Sequence, residues 1–215
     1  MQNKMPFRLV LPKPRSNPDH SGCVESQGPV VIVGANGSGK TRLGTWLDNH
    51  PEQKQLLHRI AAQKSLRMPL FSSPTTIDAA HAMLLYGVQQ GNADYKRGHR
   101  WGNEPEIQLL SDFDKLMVYL FTEEWEVSTK YRQASLGSGK KIPLSETKLD
   151  VLKRIWEATL PHRKLIIRGG KVDTKMCDEY STPYSCAQMS DGERVMCRRH
   201  SVLSTTHSSA TSKGL

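Results

Sequence analysis

Eight consecutive residues, Gly34-Ala35-Asn36-Gly37-Ser38-Gly39-Lys40-Thr41, have types and spacing that define a chemistry on their own. They fit glycine, four residues, then Gly-Lys-Thr. Glycine lets the backbone curl so that successive N–H groups point inward at phosphate oxygens. A helix starting at the loop adds the positive end of its dipole to the same anion site. Lys40 is placed to reach the β- and γ-phosphates, and Thr41 to offer a hydroxyl to Mg²⁺. With ordinary residue frequencies the pattern arises by chance at roughly 4 in 100,000 positions. The sequence therefore predicts a phosphate cradle and not an idle glycine turn. A second Gly-Ser-Gly-Lys at 137–140 is followed by Lys141-Ile142-Pro143 and has no strand pattern before it, so it predicts a plain loop.

Such a cradle needs a strand to deliver it and a helix to leave it. Residues 29–33 (Pro-Val-Val-Ile-Val) are apolar without alternation, which predicts a buried parallel strand. A helix is predicted from Lys40 to about Asp48, ending before Pro51. Upstream, residues 1–28 predict an irregular entry with a short strand at 7–11, broken by Pro12, Pro14 and Pro18. Residues 56–62 predict a second buried strand. A helix is predicted over 75–89, capped by Thr75 or Thr76, then a polar loop over 90–104. A long helix over 105–133 carries Ile107, Leu110, Asp114, Met117, Val118, Phe121 and Trp125 near helical spacing, and its apolar face is expected in the core. A linker, a helix at 146–159 and a strand at 163–168 turned by Gly169-Gly170 complete the pattern. From Ser201 to Leu215 periodicity is lost.

The chain has 30 Lys and Arg against 21 Asp and Glu, a net charge of +9 that favours anionic partners such as nucleotides or nucleic acid. No apolar window reaches the ~18 residues of a membrane span, so no membrane partner is expected. The charged, proline-containing N-terminus lacks the apolar centre of a secretory signal. Cys23, Cys177, Cys186 and Cys197 are thus expected as reduced thiols of a cytoplasmic protein.

Residues 189–194 read Met-Ser-Asp-Gly-Glu-Arg, a second glycine-containing helix start. About 150 residues separate it from the phosphate loop. In that order the two motifs resemble the ABC- and AAA-type P-loop ATPases of the SMC and DNA-repair group. There a signature of the L-S-G-G-E kind follows a long insertion; single-chain ATPases of bacterial phage defence are also similar. The resemblance spans residues 29–194 and rests on the two motifs. It implies an α/β P-loop NTPase sheet with a helical insertion. The core would be divided as 1–63, an insertion 64–160, a signature segment 161–200 and an irregular tail 201–215. It implies ATP and Mg²⁺ as ligands, held by Gly34 to Thr41, with Gln63 as the glutamine that senses magnesium and the attacking water. It also implies that Ser190, Asp191, Gly192 and Glu193 meet a nucleotide held by a second copy. ATP would then drive a homodimer whose insertion engages an effector protein or DNA.

The hydrolytic half of such a site is missing. After Glu193 the remaining 22 residues contain no Asp or Glu. No apolar strand ending in Asp-Glu follows the signature, so the C-terminal part of the core is expected to be absent. This predicts a truncated or frame-shifted product of a longer ATPase, slow in hydrolysis for want of a metal-holding and a water-activating carboxylate. A nucleotide-binding module without hydrolysis is the alternative, and a basic nucleic-acid-binding protein a further one. Asp112-Phe113-Asp114 falls inside a predicted helix and so makes a poor metal-binding pair. Cys177, Cys186, Cys197 and His200 lack the close cysteine pair of a zinc knuckle. Arg97, His99, Arg100 and Trp101 predict a solvated basic, aromatic loop, with nucleic-acid contact through phosphates and stacking as the alternative.

Overall fold

The computed structural model describes residues 6–13, 22–60, 68–107, 112–138 and 143–197. The chain divides into two compact units, Met1–Gln63 with Leu85–Leu110, and Lys64–Leu84 with Ser111–Leu215.

In the first unit, β1 (Phe7–Val10) pairs antiparallel with β2 (Cys23–Ser26), Phe7 opposite Ser26 and Val10 opposite Cys23. The free edge of β1 is closed by a side chain. Val10 N–H donates to Gln53 Oε1 at 3.1 Å, and Gln53 Nε2 donates back to the Val10 carbonyl at 3.2 Å. The amide group stands in for a neighbouring strand and satisfies both backbone groups. Helix α1 (Lys40–Asn49) begins where the sequence places it, with the left-handed Gly39 as its N-cap. Beyond it, 90–104 is more ordered than its polarity suggests. A 3₁₀ turn at Ala93–Tyr95, capped by the Asn92 side chain, runs into a π-turn at Lys96–Arg100.

That π-turn inverts the expectation for the basic, aromatic loop. Trp101 is fully buried, and Lys96 and Arg100 are buried with it. Trp101 Nε1 donates to Asp48 Oδ2 at 2.9 Å, and Lys96 Nζ donates to Asp48 Oδ1 at 3.2 Å. Lys96 also donates to the carbonyls of Lys54 and Leu57, so its three N–H groups are all used. Burial lowers the Lys96 pKa, and the Asp48 charge opposes the shift. The Arg59 guanidinium lies 3.7 Å from the centre of the Trp101 ring. These cations build a small domain's interior; only Arg97 and His99 of the cluster are exposed.

Helix α2 (Ile77–Tyr86), of which residues up to Leu84 belong to the second unit, starts after Thr76, whose hydroxyl accepts from Ala79 N–H. Helix α3 (Phe113–Ser138) begins later than predicted, so Ile107 lies outside it and is exposed. Phe113, Leu116, Met117, Leu120 and Phe121 bury its face as the spacing requires. Trp125, expected to join them, is 58% exposed. Helix α4 (Lys148–Thr159) opens on a reciprocal cap, Thr147 with Asp150, and buries Leu149, Leu152 and Trp156 at helical spacing. The Lys148 ammonium donates to Glu123 and to the Tyr119 hydroxyl, each at 2.7 Å. Burial alone would lower its pKa, but these partners outweigh burial and raise it.

Strand β3 (Arg163–Arg168) pairs antiparallel with β4 (Lys171–Met176) across Gly169-Gly170, whose φ angles are 55° and 74°. Positive φ at both turn residues is the two-residue hairpin that glycine permits. The short β5 (Tyr184–Ser185) adds on β4, and Leu165, Val172, Cys186 and Met189 close the core against α3 and α4. A helical segment follows at 191–197.

Two predicted strands do not form. Residues 29–33 have no strand partner, and Val31 and Val33 are 79% and 86% exposed. Residues 56–60 are likewise without a strand; 61–62 lie outside the described residues. A run of β-branched residues reports a demand for burial, and a ladder forms only where a neighbouring strand exists. Among the described residues the sheets are antiparallel, of two and three strands, and neither includes 29–33. No helix among the described residues is long and apolar enough to cross a membrane.

Candidate phosphate-binding site

The loop Gly34–Thr41 lies in the first unit and ends on α1. Ser38 N–H donates to the Ala35 carbonyl at 3.2 Å, closing a turn. Gly37 and Gly39 have φ of 81° and 88°, the left-handed region that a side chain would strain. Leu43 N–H donates to the Gly39 carbonyl at 2.9 Å, so the helix ladder begins on the last loop glycine. Lys40 turns back across the loop and donates to the carbonyls of Gly34 at 2.7 Å and Ala35 at 2.8 Å. The glycines thus form a curl that one cation spans.

The electrostatics of this end of α1 are unusual for a helix. Acidic residues are favoured in a first turn because they offset the positive end of the dipole. The first turn of α1 has no acidic residue and carries Lys40 and Arg42 instead. Neither has a carboxylate partner among the described residues, and both are exposed. Two cations at a positive helix end raise the local potential and favour an anion there.

The site fits phosphate in its open loop, its cationic side chain and its helix end. Its fit to magnesium is narrower. Thr41 is exposed in the first turn and offers a neutral hydroxyl. Mg²⁺ keeps several waters and binds mainly through substrate phosphates, so Thr41 would hold it only together with the nucleotide. The metal would then neutralise charge between neighbouring phosphate oxygens. Gln63 lies outside the described residues. Asp48, the buried carboxylate of α1, is committed to Lys96 and Trp101.

The second motif belongs to the other unit, where Ser190 and Glu193 are engaged with each other. Ser190 N–H and Oγ donate to Glu193 Oε2 at 2.8 and 2.9 Å, and Glu193 N–H donates to Ser190 Oγ at 3.3 Å. This is a capping box, the local reason for a Ser-x-x-Glu spacing. Glu193 Oε1 also accepts from Arg163 Nε at 3.1 Å and from the Tyr184 hydroxyl at 2.5 Å. Desolvation pushes its pKa up, but those hydrogen bonds outweigh burial and hold it below the ordinary value of 4.5. Asp191 is exposed and meets Arg194 at 3.7 Å, and Gly192 is exposed. Asp112 is buried just ahead of α3 and Asp114 is exposed, so the two do not share one environment.

A cleft of about 440 Å³ lies along α1 in the first unit, between Arg42, Trp46 and Asn49 on the helix, His50 at its C-cap, and Arg97 and Asn103 opposite. Sequence reasoning missed it. Its only sequence signal is the 42, 46, 50 spacing, which puts a cation and two rings on one helix face. Comparison of the chain with protein-family models, curated proteins and solved structures finds no match.

Proposed function

We propose that this chain is the nucleotide-binding head of a cytoplasmic P-loop ATPase, binding ATP with Mg²⁺ through Gly34–Thr41. One observation carries the reading: Gly37 and Gly39 adopt left-handed backbone where a helix begins whose first turn holds two cations and no acid. In the bound state the Lys40 ammonium exchanges the Gly34 and Ala35 carbonyls for phosphate oxygens, a stronger charge-assisted bond. The loop amides supply the remaining donors and Thr41 the metal's hydroxyl.

Binding without rapid turnover is the form of this reading that the residues favour. The loop and its lysine serve affinity, whereas hydrolysis needs a carboxylate to hold the metal and one to position water. The buried carboxylate of α1 is already committed. The nucleotide would signal to an effector or to DNA, as the resemblance implies. A dimer formed through Ser190 and Gly192 belongs to the same proposal. It would require the Ser190 hydroxyl to exchange its bond to Glu193 for one to a phosphate oxygen.

Titration of a fluorescent ATP analogue with Mg²⁺ tests the assignment. Lys40→Ala is expected to weaken binding about 10- to 100-fold, the loss of one charge-assisted contact of ~1.4–2.7 kcal/mol. Lys40 is exposed, so the variant should keep the wild-type melting temperature. Equal affinity in the two proteins removes the phosphate-loop reading.

A further inference from the structure

The cleft along α1 has features that the phosphate loop does not use. Trp46 and His50 stand one turn apart with ring centres 4.4 Å apart and planes tilted by 39°. Together they give an aromatic ledge. Arg42 on the helix and Arg97 on the π-turn line the same cleft, both exposed. Neither side chain has a hydrogen-bond or ion-pair partner among the described residues. Asn49 and Asn103 add amide donors and acceptors. A carboxylate, Glu106, also lines the space; it is an acceptor for an exocyclic amine and unfavourable to a phosphate on its own side.

The walls are fixed in place before any ligand arrives. Arg59 donates both to the Thr45 hydroxyl of α1 and to the Pro105 carbonyl of the facing segment. Its guanidinium rests on Trp101, which is bonded to Asp48 of α1. Lys96, next to Arg97, is anchored to the same Asp48. Both arginine-bearing elements are thus pinned to one buried carboxylate. A cleft held open in this way loses little entropy on binding.

We propose that this cleft binds a nucleotide unit, its base against Trp46 and His50 and its phosphate between Arg42 and Arg97. An aromatic ledge beside unpaired guanidinium groups is the chemistry that takes a stacked base and its phosphate together. The volume of about 440 Å³ suits one such unit. Glu106 offers an acceptor to the exocyclic amine of cytosine, adenine or guanine. The unit comes either from a single strand of nucleic acid, towards which the net charge of +9 draws the chain, or from a free mononucleotide. The cleft shares Arg42 with the first turn of α1, but none of the loop residues Gly34 to Thr41 lines it.

Fluorescence anisotropy with a labelled twelve-residue deoxycytidine oligonucleotide tests it on the full chain. The double variant Arg42→Ala/Arg97→Ala is expected to bind about tenfold or more weakly, and its salt dependence to be shallower by about 0.7, the value for one neutralised phosphate on a single strand. Trp46→Ala is expected to cost on the order of tenfold, and Trp46→Phe to recover most of it because the stacking face is kept. Lys40→Ala should cost less than Arg97→Ala does, because Arg97 lines the cleft and Lys40 does not. Competition with CMP then identifies the source. Displacement at matched nucleotide concentration assigns the cleft to a free mononucleotide, and its failure assigns it to a strand. The proposal is overturned if neither the oligonucleotide nor CMP binds. It is equally overturned if the double arginine variant binds as the wild type does.

Discussion

Asp48→Ala is expected to destabilise the first unit by about 3–5 kcal/mol, the cost of breaking a buried ion pair by removing one partner. Asp48 and Lys96 are 1% and 2% exposed, so the stranded ammonium has no access to water. The indole N–H of Trp101 loses its acceptor in the same step. Against a typical domain stability of ~5–15 kcal/mol this is a large fraction. Urea denaturation followed by tryptophan fluorescence measures it directly. The explanation is separable from a simple cavity effect through a double-variant cycle. Asp48→Ala together with Lys96→Met removes both charges, and its cost should fall short of the sum of the single costs by more than ~1 kcal/mol. Additive costs would show that the pair is not coupled. The same substitution should weaken ligand binding in the α1 cleft, because both of its walls are tied to this carboxylate.

Glu193→Ala should carry the next largest effect, about 2–4 kcal/mol, localised to the second unit. One carboxylate there accepts from Ser190, Arg163 and Tyr184, and its removal orphans a partly buried guanidinium and a phenol. The pH dependence gives a second readout. Hydrogen bonding holds the Glu193 pKa below 4.5 in the folded chain. A depressed folded pKa contributes stability that is complete above the unfolded value and is lost as pH falls through the folded value. The difference in stability between wild type and Glu193→Gln should therefore be largest above about pH 4.5 and shrink in more acid solution. A difference that stays constant to pH 2 would contradict the assignment of those bonds to the ionised form.

Helices α1 and α4 were legible in the sequence because each carries its own signal, whereas the start of α3 was not. Lys40 follows a glycine that can only cap, Thr147 stands three residues before Asp150, and Leu149, Leu152 and Trp156 repeat at helical spacing. The 163–168 strand was legible from the glycine pair that turns it. Residues 29–33 were not, because strand formation depends on a partner that a local pattern does not name. The basic cluster at 97–101 misled for a related reason. Trp101 and the neighbouring Lys96 satisfy a buried aspartate 53 and 48 positions away, and distance along the chain hides such pairings. The Ser190–Glu193 motif shows the opposite case. Its spacing satisfies a helix cap completely, so the same residues that suggest a nucleotide contact already have a structural use. The α1 cleft escaped notice because one of its walls comes from residues 97–106, which carry no periodicity.

The central claim is that the backbone between Gly34 and Thr41 holds phosphate oxygens, and amide NMR on the ¹⁵N-labelled chain reads that backbone atom by atom. On addition of ATP with Mg²⁺, the N–H resonances of Gly37, Ser38, Gly39, Lys40 and Thr41 should shift together and saturably, and adenosine without phosphates should leave them in place. If those five amides stay unmoved while nucleotide is present, or respond equally to adenosine, the loop is a glycine turn with a lysine folded over it and the account is wrong.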